Sequence, residues 1–120
     1  MMPMSSKDDC LFCRIMRKLV PSDKVYEDSF CFAFRDINPQ APTHILMVPR
    51  AHLASVAEVE RENCDLIGHV FAAIAKVARA EGLEEGGYRV VSNCGEGAGQ
   101  TVPHLHFHIL AGGEMAEKMV

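Results

Sequence analysis

The chain has 120 residues, of which 48% are hydrophobic and 23% charged, as expected for one folded domain with its own core. A formal net charge of −4 with histidine neutral gives no general attraction to phosphate polymers, so we expect no nucleic-acid partner. No run approaches the roughly 20 apolar residues of a membrane span, and the N-terminal residues lack the apolar core of an export signal. Five cysteines, an odd number, argue against a disulfide framework. We therefore expect a cytoplasmic protein with no membrane contact.

The first predicted elements are a short helix and a β-hairpin. Apolar residues at helical spacing predict the helix over residues 10–18, with Asp8 or Asp9 as its cap. Aromatic and β-branched residues are dense in residues 24–27 and 30–35, which predicts two strands joined by a tight turn.

The rest of the chain predicts three further strands and one long helix. Residues 36–42 contain two prolines and are expected to form a loop before a strand over 43–48. Apolar residues three and four apart predict a long amphipathic helix over 59–81. Strands are expected over 88–93 and 104–110. This order indicates an α+β fold: a five-stranded, mainly antiparallel sheet with one short and one long helix.

Three histidines alternate in the last predicted strand, HLHFH. The two-residue period of a strand places His104, His106 and His108 on one face. Imidazole can act near neutral pH as nucleophile, acid or base. The same three side chains could instead hold a zinc ion that activates water. The spacing leaves both chemistries open.

A glycine-rich segment, CGEGAGQTVP, precedes this strand. Its three glycines permit close backbone approach to a ligand, and Gln100 and Thr101 add side-chain donors. Such segments are also ordinary hairpin connections. Beside a face of histidines, we favour a phosphate-binding loop.

Cys10 and Cys13 form a C-x-x-C pair, which could be a metal half-site, a redox pair or a coincidence. The polar residues before the pair do not provide the strand that precedes a thioredoxin-type redox helix, which favours zinc. His52 and His104 are candidates for the two further ligands. The other cysteines are interpreted as small buried apolar residues: Cys31, Cys64 and Cys94.

The sequence resembles the histidine triad superfamily through HLHFH and the preceding GAGQTVP. The segments FAFRDINPQAPTHILMVPRAH and YRVVSNCGEGAGQTV resemble the nucleotide-binding Hint branch of that superfamily. We place the domain at residues 10–112, between a disordered N-terminal tail over 1–9 and a C-terminal tail over 113–120. The resemblance implies a histidine triad fold in which the sheet continues across a homodimer.

The resemblance also implies a hydrolase that cleaves purine nucleoside phosphoramidates or adenylyl-lysine-type substrates through a covalent nucleotidyl-histidine. His106 would attack the α-phosphorus, and His44 and His108 would orient and protonate around it. The residues that match phosphate-binding positions are Asn93, Gln100 and Thr101. The residues that match nucleoside-binding positions are Asp36, which would bind the ribose hydroxyls, and Ile37, Leu11, Phe12 and Ile15 around the base.

For a nucleophilic His106, the second ring nitrogen should donate to a backbone carbonyl that fixes the tautomer. The resemblance further implies a structural Zn²⁺ and no organic cofactor. Its ligands would be Cys10, Cys13, His52 and His104, which leaves His106 and His108 for catalysis.

Two other functions fit the same resemblance: a nucleotide-binding regulatory module with incidental hydrolysis, and a dinucleoside polyphosphate hydrolase. Long polyphosphates would need more cationic contacts than Arg35, Arg50 and Arg89 provide. The C-terminal segment AGGEMAEKMV lacks the Trp-Pro-Pro-Gly type of tail that is common in Hint proteins, so the resemblance implies no substrate selectivity from that tail. The physiological leaving group is not specified by the sequence.

Overall fold

A five-stranded antiparallel sheet forms the centre of the computed structural model, which describes residues 9–115. Its strands, in chain order, are β1 (Lys24–Glu27), β2 (Cys31–Arg35), β3 (Thr43–Pro49), β4 (Tyr88–Val91) and β5 (Phe107–Ala111). They lie in the order β1-β2-β3-β5-β4, with every neighbouring pair antiparallel. With one short helix, α1 (Leu11–Met16), and one long helix, α2 (Cys64–Ala80), the expected α+β architecture is confirmed.

Both faces of the central strands are covered, because alternate side chains of a strand point to opposite sides. On one face, Ile45 and Ile109 pack with Val70 and Ile74 of α2 in the larger hydrophobic core. On the other face, a second core joins α1 to apolar side chains of β2 and β3. The burial of Leu105, Phe107 and Ile109 in the α2 core leaves the opposite face near the start of β5 for polar side chains.

The helix α1 differs in its start and end from the sequence-based prediction. Its N-cap is Cys10, whose thiol accepts from the backbone N–H of Cys13 at 3.4 Å, and not Asp8 or Asp9 as expected. A sulfur that is buried inside the fold therefore caps the helix in place of a solvated carboxylate. The helix ends at Met16, two residues before a backbone φ of 63° at Lys18, which an α-helix cannot continue through.

The long helix is shorter than predicted. Residues 56–63 form two short 3₁₀ turns, and the α-helix starts only at Cys64. The side chains of Ser55 and of the Glu60/Asn63 capping box bond to backbone N–H groups there, which competes with a continuous helix. Strand β5 likewise starts at Phe107, so His104 and His106 precede the ladder rather than lying within it.

Several expectations fall on the ends of the chain. Residues 1–8 and 116–120 lie outside the described residues, so the disordered tail over 1–9 and the C-terminal tail over 113–120 stay predictions. In the part of the chain that is described, no helix is long and apolar enough to cross a membrane. All five cysteines lie in this part, and none is in a disulfide.

Candidate active site and metal centre

An apolar cavity of about 320 Å³ opens on the α1 side of the sheet, within the size range of small-ligand sites. Two histidines, His106 and His108, and the carboxylate of Asp36 also line it. The expected nucleoside-binding residues Leu11, Phe12, Ile15 and Ile37 are all present. Sequence reasoning missed other lining residues, including Val20, Pro21, Ser22, Phe34, Leu46 and Val102.

Two of these missed residues lie in strands and could have been predicted from the strand pattern. Phe34 and Leu46 are paired across β2 and β3, so they lie on the same face. That face is the one that packs against α1. The strand alternation could therefore have placed both side chains beside Phe12. The residues after α1 gave no comparable pattern.

The His106 ring is held in one tautomer by the backbone. Its Nδ1 lies 2.7 Å from the carbonyl oxygen of His104. Because a carbonyl can only accept, Nδ1 carries the hydrogen and Nε2 keeps a lone pair. The ring is 5% exposed, and Phe12 packs against it edge to face with 4.9 Å between centroids. This is the contact that a nucleophilic histidine at position 106 was expected to make.

A second backbone contact fixes the tautomers of His44 and His108. The N–H of Gln40 donates to His44 Nδ1 at 3.0 Å, so His44 carries its hydrogen on Nε2. That nitrogen lies 2.8 Å from Nδ1 of His108 and donates to it. His108 therefore has its own hydrogen on Nε2. One backbone amide thus directs a chain of hydrogen bonds that ends in a donor on a cavity-lining residue.

Asp36 lies beside this chain. Its Oδ2 is 3.4 Å from His44 Nε2, and its Oδ1 accepts from the backbone N–H of Asn38 at 2.8 Å. The resemblance implies only a ribose contact for Asp36. The structure also makes it a carboxylate that steadies His44, a contact no sequence spacing could reveal because it joins a loop to a strand.

Burial keeps the three imidazoles neutral in the free protein. It lowers the pKa of His44 and of His106 below the usual value of histidine, against the opposing charge of Asp36. Burial also lowers the pKa of His108 to about 4, and the neighbouring His106 and His44 reinforce that shift. At neutral pH the lone pair of His106 is therefore available.

The glycine-rich segment forms an ordered loop rather than an open hairpin connection. Gly95 and Gly99 both have φ of 89°, a conformation that side chains with a Cβ rarely adopt. The buried amide of Gln100 accepts from Gly95 N at 2.8 Å and donates to the carbonyls of Ala54 and Val102.

The structure places the three residues matched to phosphate positions differently. Thr101 lines the cavity, as expected. The side chain of Gln100 was expected to offer donors to phosphate, but its NH₂ group is directed at two backbone carbonyls. The Gln100 side chain therefore holds the conformation of the loop. Asn93 lies outside the residues that line the cavity, and its amide nitrogen lies near Gly99.

The side chains of Cys10, Cys13, His52 and His104 come together beside α1, with one ligand atom from each within 4.8 Å of all the others. Nδ1 of His104 is 3.2 Å from Cys10 Sγ and 3.5 Å from Cys13 Sγ. Nδ1 of His52 is 3.4 Å from Cys13 Sγ and 3.0 Å from Nδ1 of His104. Tetrahedral zinc with these donors separates them by about 3.3–3.8 Å, so the residues fit the ion with small adjustments.

The second nitrogen of His104 strengthens that fit. Its Nε2 donates to the carbonyl of Pro49 at 2.8 Å, which leaves Nδ1 unprotonated and directed at the two thiols. Burial lowers the pKa of this imidazole to about 4. Within residues 9–115, the groups able to hold a metal do not include His104, His106 and His108 together. The shared three-histidine metal site that spacing left open is therefore not formed.

Two cysteines interpreted as buried are not buried. Cys64 and Cys94 are exposed, because Cys64 opens α2 on its solvent side and Cys94 begins the glycine-rich loop. Cys31 is buried as expected.

Comparison with known proteins places this site in a family. The HIT domain family model matches residues 17–115, and the chain belongs to the HIT domain family. It is 43% identical to the purine nucleoside phosphoramidase of Escherichia coli K12 over 105 residues, which is 88% of each chain. It is 47% identical to a HIT-like protein of Synechococcus elongatus over 109 residues, covering 91% of this chain and 95% of that one.

Solved structures agree with the sequence comparison. A HIT family hydrolase from Clostridium thermocellum superposes with a TM-score of 0.92 at 43% identity, covering 96% of this chain and all of that one. A histidine triad protein from Clostridium difficile gives a TM-score of 0.89 at 43% identity, covering 97% of this chain and all of that one. The resemblance inferred from HLHFH is confirmed.

The neutral state of His108 gives a prediction for stability against pH. Unfolded histidine takes up its proton near pH 6.5 and folded His108 only near pH 4. Between these values the unfolded state binds more protons, so this contribution to stability is present above pH 6.5 and is lost as the pH falls. We expect the wild type to lose on the order of 1–3 kcal/mol more than His108→Gln from about pH 7 to 4.5. Urea unfolding followed by circular dichroism measures this difference, and parallel pH dependences would contradict it.

Proposed function

We propose that this protein is a hydrolase that cleaves purine nucleoside 5'-phosphoramidates, or adenylyl-lysine-type substrates, through a nucleotidyl-histidine intermediate. The observation that carries the proposal is the 2.7 Å contact from His106 Nδ1 to the His104 carbonyl. It gives a neutral ring with a free lone pair at the edge of a nucleotide-sized cavity. The name of the Escherichia coli relative, purine nucleoside phosphoramidase, supports the substrate class.

The cavity divides into parts that suit a purine nucleoside monophosphate. Leu11, Phe12 and Ile15 offer an apolar wall to the base, and Asp36 offers a carboxylate to the ribose hydroxyls. Thr101 and His108 offer donors to the phosphate near His106. In this arrangement the apolar side chains bind the nucleoside, and His106 and His108 lie beside the phosphate.

In the first step, the lone pair of His106 Nε2 attacks the α-phosphorus and the P–N bond to the amine breaks. The amine leaves with the electron pair of that bond and takes up one proton. We assign this proton to His108, which takes up one proton from solvent when the substrate binds, because the negative phosphate raises the pKa of an adjacent imidazole. His44 holds His108 in place through the 2.8 Å contact, and the His104 carbonyl stabilises the charge that develops on the His106 ring.

In the second step, water attacks the phosphorus and gives one proton to the now neutral His108. The P–Nε2 bond breaks and its electron pair returns to His106. The products are the nucleoside monophosphate and the amine, and both histidines regain the states that they had with substrate bound. His108 returns its extra proton to solvent when the product leaves. Both steps use the His106 tautomer that the His104 carbonyl imposes.

Cleavage of dinucleoside polyphosphates is less well supported. Arg35 lines the cavity, but its guanidinium donates to Glu81 at 2.7 Å. Arg50 donates to Glu27 at 3.0 Å and to the Asp28 carbonyl. Cations committed to internal partners offer less to a long chain of phosphates.

Replacing the nucleophile tests the mechanism. We expect His106→Asn or His106→Gly to abolish turnover of an adenosine phosphoramidate, because neither side chain can form the covalent adduct. Binding of the purine monophosphate should remain, since the apolar wall and Asp36 are unchanged. Rapid quench with labelled substrate should trap an acid-labile adduct on the wild type only.

A matched variant separates the nucleophile from its neighbour. His108→Ala should slow the reaction by about 10²–10⁴-fold, the usual contribution of an acid–base group, without removing the site of attachment. Near-normal rates in His106 variants would refute covalent catalysis. Loss of activity on chelation of a still-folded protein would favour a metal-activated water, for which Asp36, His44 and His108 are close enough together.

We also propose that Cys10, Cys13, His52 and His104 hold one structural Zn²⁺. The four donors match the thiolate and imidazole ligands of closed zinc sites, and their separations support the fit. When bound, the ion would link α1 to the segment before β5 and contribute to stability. The hydrolysis steps need no metal.

Metal removal tests the zinc proposal. We expect purified protein to retain one zinc per chain by elemental analysis, and Cys10→Ser to retain none after dialysis. Removal should lower the melting temperature more than it lowers the rate constant at temperatures where the fold persists, because the ion stabilises rather than reacts. Cys64→Ser, which changes an exposed cysteine, is the control. An undiminished melting temperature in metal-free protein, with no zinc uptake, would refute the proposal.

We further propose a homodimer in which the sheet continues through the β4 edge. Strand β4 has one neighbour in the described sheet, so its other edge is open to pairing. Val90, Tyr88 and Phe71 are exposed apolar side chains. Val90 pairs with Ile109 of the α2 core, and Phe71 of α2 packs on Phe107, so the apolar patch lies on one face at this edge.

A charge at the patch should break the dimer. Light scattering is expected to give twice 13.2 kDa for the wild type and about half that mass for Val90→Glu, because a buried unpaired charge opposes association. Leu19→Glu, at an exposed position after α1, should stay dimeric. A monomeric wild type with full activity at micromolar concentration would exclude this assembly.

A further inference from the structure

A further group of side chains that could hold a metal ion lies on the opposite face of the sheet from the proposed active site. Asp28 in the β1–β2 turn, Cys31 at the start of β2 and His69 on α2 each offer a ligand atom, and these atoms lie within 4.8 Å of one another. Nε2 of His69 is 2.8 Å from Asp28 Oδ2. Sγ of Cys31 is 3.5 Å from Oδ1 and 3.6 Å from Oδ2 of Asp28. The proposed function uses none of these three residues.

The Asp28 carboxylate is fixed and ionised. Its Oδ1 accepts from the backbone N–H groups of Phe30 at 2.7 Å and Cys31 at 2.9 Å. Its Oδ2 accepts from the Tyr26 hydroxyl at 2.6 Å. Although burial opposes ionisation, the hydrogen bonds from Tyr26 and His69 hold the pKa of this carboxyl well below its usual range. A carboxylate held by outer partners in this way is typical of metal ligands.

The other two ligands come from different elements and differ in exposure. Cys31 is fully buried in the α2 core, whereas the His69 side chain is 38% exposed. The Phe30 ring covers one side of His69, with 4.6 Å between ring centroids. The nearby Arg50 donates to the Asp28 carbonyl and to Glu27, so its charge is already neutralised. Solvent therefore reaches the group through His69 and Asp28, and not through Cys31.

We propose that Asp28, Cys31 and His69 form a second, open binding site for one thiophilic divalent cation of the Zn²⁺ or Co²⁺ class. One sulfur, one imidazole nitrogen and one carboxylate oxygen match the donors these ions take, with a water as the fourth ligand. The inference does not rest on the proposed hydrolase function. In tetrahedral geometry the ligand atoms lie about 3.3–3.8 Å apart, so the sulfur–oxygen distance already fits and the Asp28–His69 contact must open slightly.

Binding of the cation removes one proton and moves another. The Cys31 thiol releases its proton to solvent as the metal–sulfur bond forms. His69 moves its ring hydrogen from Nε2 to Nδ1 and binds the ion as a neutral ligand. The site offers three protein ligands, whereas the closed cluster at Cys10, Cys13, His52 and His104 offers four, so it should fill after that cluster. Because the thiol must lose its proton on binding, the site should fill more readily as the pH rises.

Cobalt titration of the full-length, reduced, metal-free protein tests the site. We expect the wild type to bind two equivalents of Co²⁺, with a thiolate-to-cobalt absorption band growing through both. Cys31→Ser and His69→Gln should each bind one equivalent and keep the strong band of the two-thiolate cluster. Cys64→Ser, which removes an exposed cysteine from the same helix as His69, should bind two.

The two variants guard against a folding artefact. His69→Gln changes a partly exposed side chain and should keep the wild-type circular dichroism spectrum, so its missing equivalent reports the ligand itself. Retention of two equivalents by either variant, or uptake of one by the wild type, would overturn the proposal. Phosphoramidate turnover of His69→Gln should equal that of the wild type, so a failure of this site and a failure of the hydrolase proposal are distinguishable.

Discussion

The site depends on one residue, His104, whose ring and backbone each make a separate contact. Its Nε2 donates to the Pro49 carbonyl, and its Nδ1 meets the thiols of Cys10 and Cys13. Its own carbonyl accepts from His106. The same buried residue thus ties the end of β3 to the start of α1 and holds the neighbouring histidine in one tautomer. A displacement of His104 would therefore disturb both the cysteine contacts and the orientation of the His106 ring.

This arrangement requires the chain to leave the ladder before β5. If residues 104–106 were paired as a regular strand, successive histidines would stand about 7 Å apart along one row. Starting β5 at Phe107 instead lets His104 turn toward the cysteines while His106 and His108 line the cavity. His104 is then a structural residue, whereas His106 and His108 line the cavity.

Much of the fold could be predicted from the sequence because the hydrophobic residues of its main elements follow simple patterns. The apolar run of β3, the alternation in HLHFH and the three-and-four spacing in α2 each identify their element, and Leu105, Phe107 and Ile109 face the core as that alternation requires. Helix ends were less predictable, because they depend on local hydrogen bonds from side chains to the backbone. Cys10 and the Glu60/Asn63 pair make such bonds, and helix propensity does not reveal them.

The site was predicted in its residue types more than in its contacts. The motif marks His106 and His108, but no spacing shows that Gln40 orients His44 or that Asp36 lies beside it. Gln100 illustrates the same limit: a donor in a glycine-rich segment suggests a ligand contact, whereas folding turns its amide toward the backbone. Contacts between loops depend on tertiary packing, which a single sequence does not display.

The side chain of Gln100 has a thermodynamic consequence for ligand binding. By joining Gly95, Ala54 and Val102, it holds the glycine-rich loop in one conformation within the folded protein. A loop that is already ordered loses little conformational entropy when a ligand arrives, and the cost of ordering falls on folding instead. More of the contact energy with a bound ligand then appears as affinity. The glycines supply the shape of the loop, and a single buried amide supplies its rigidity.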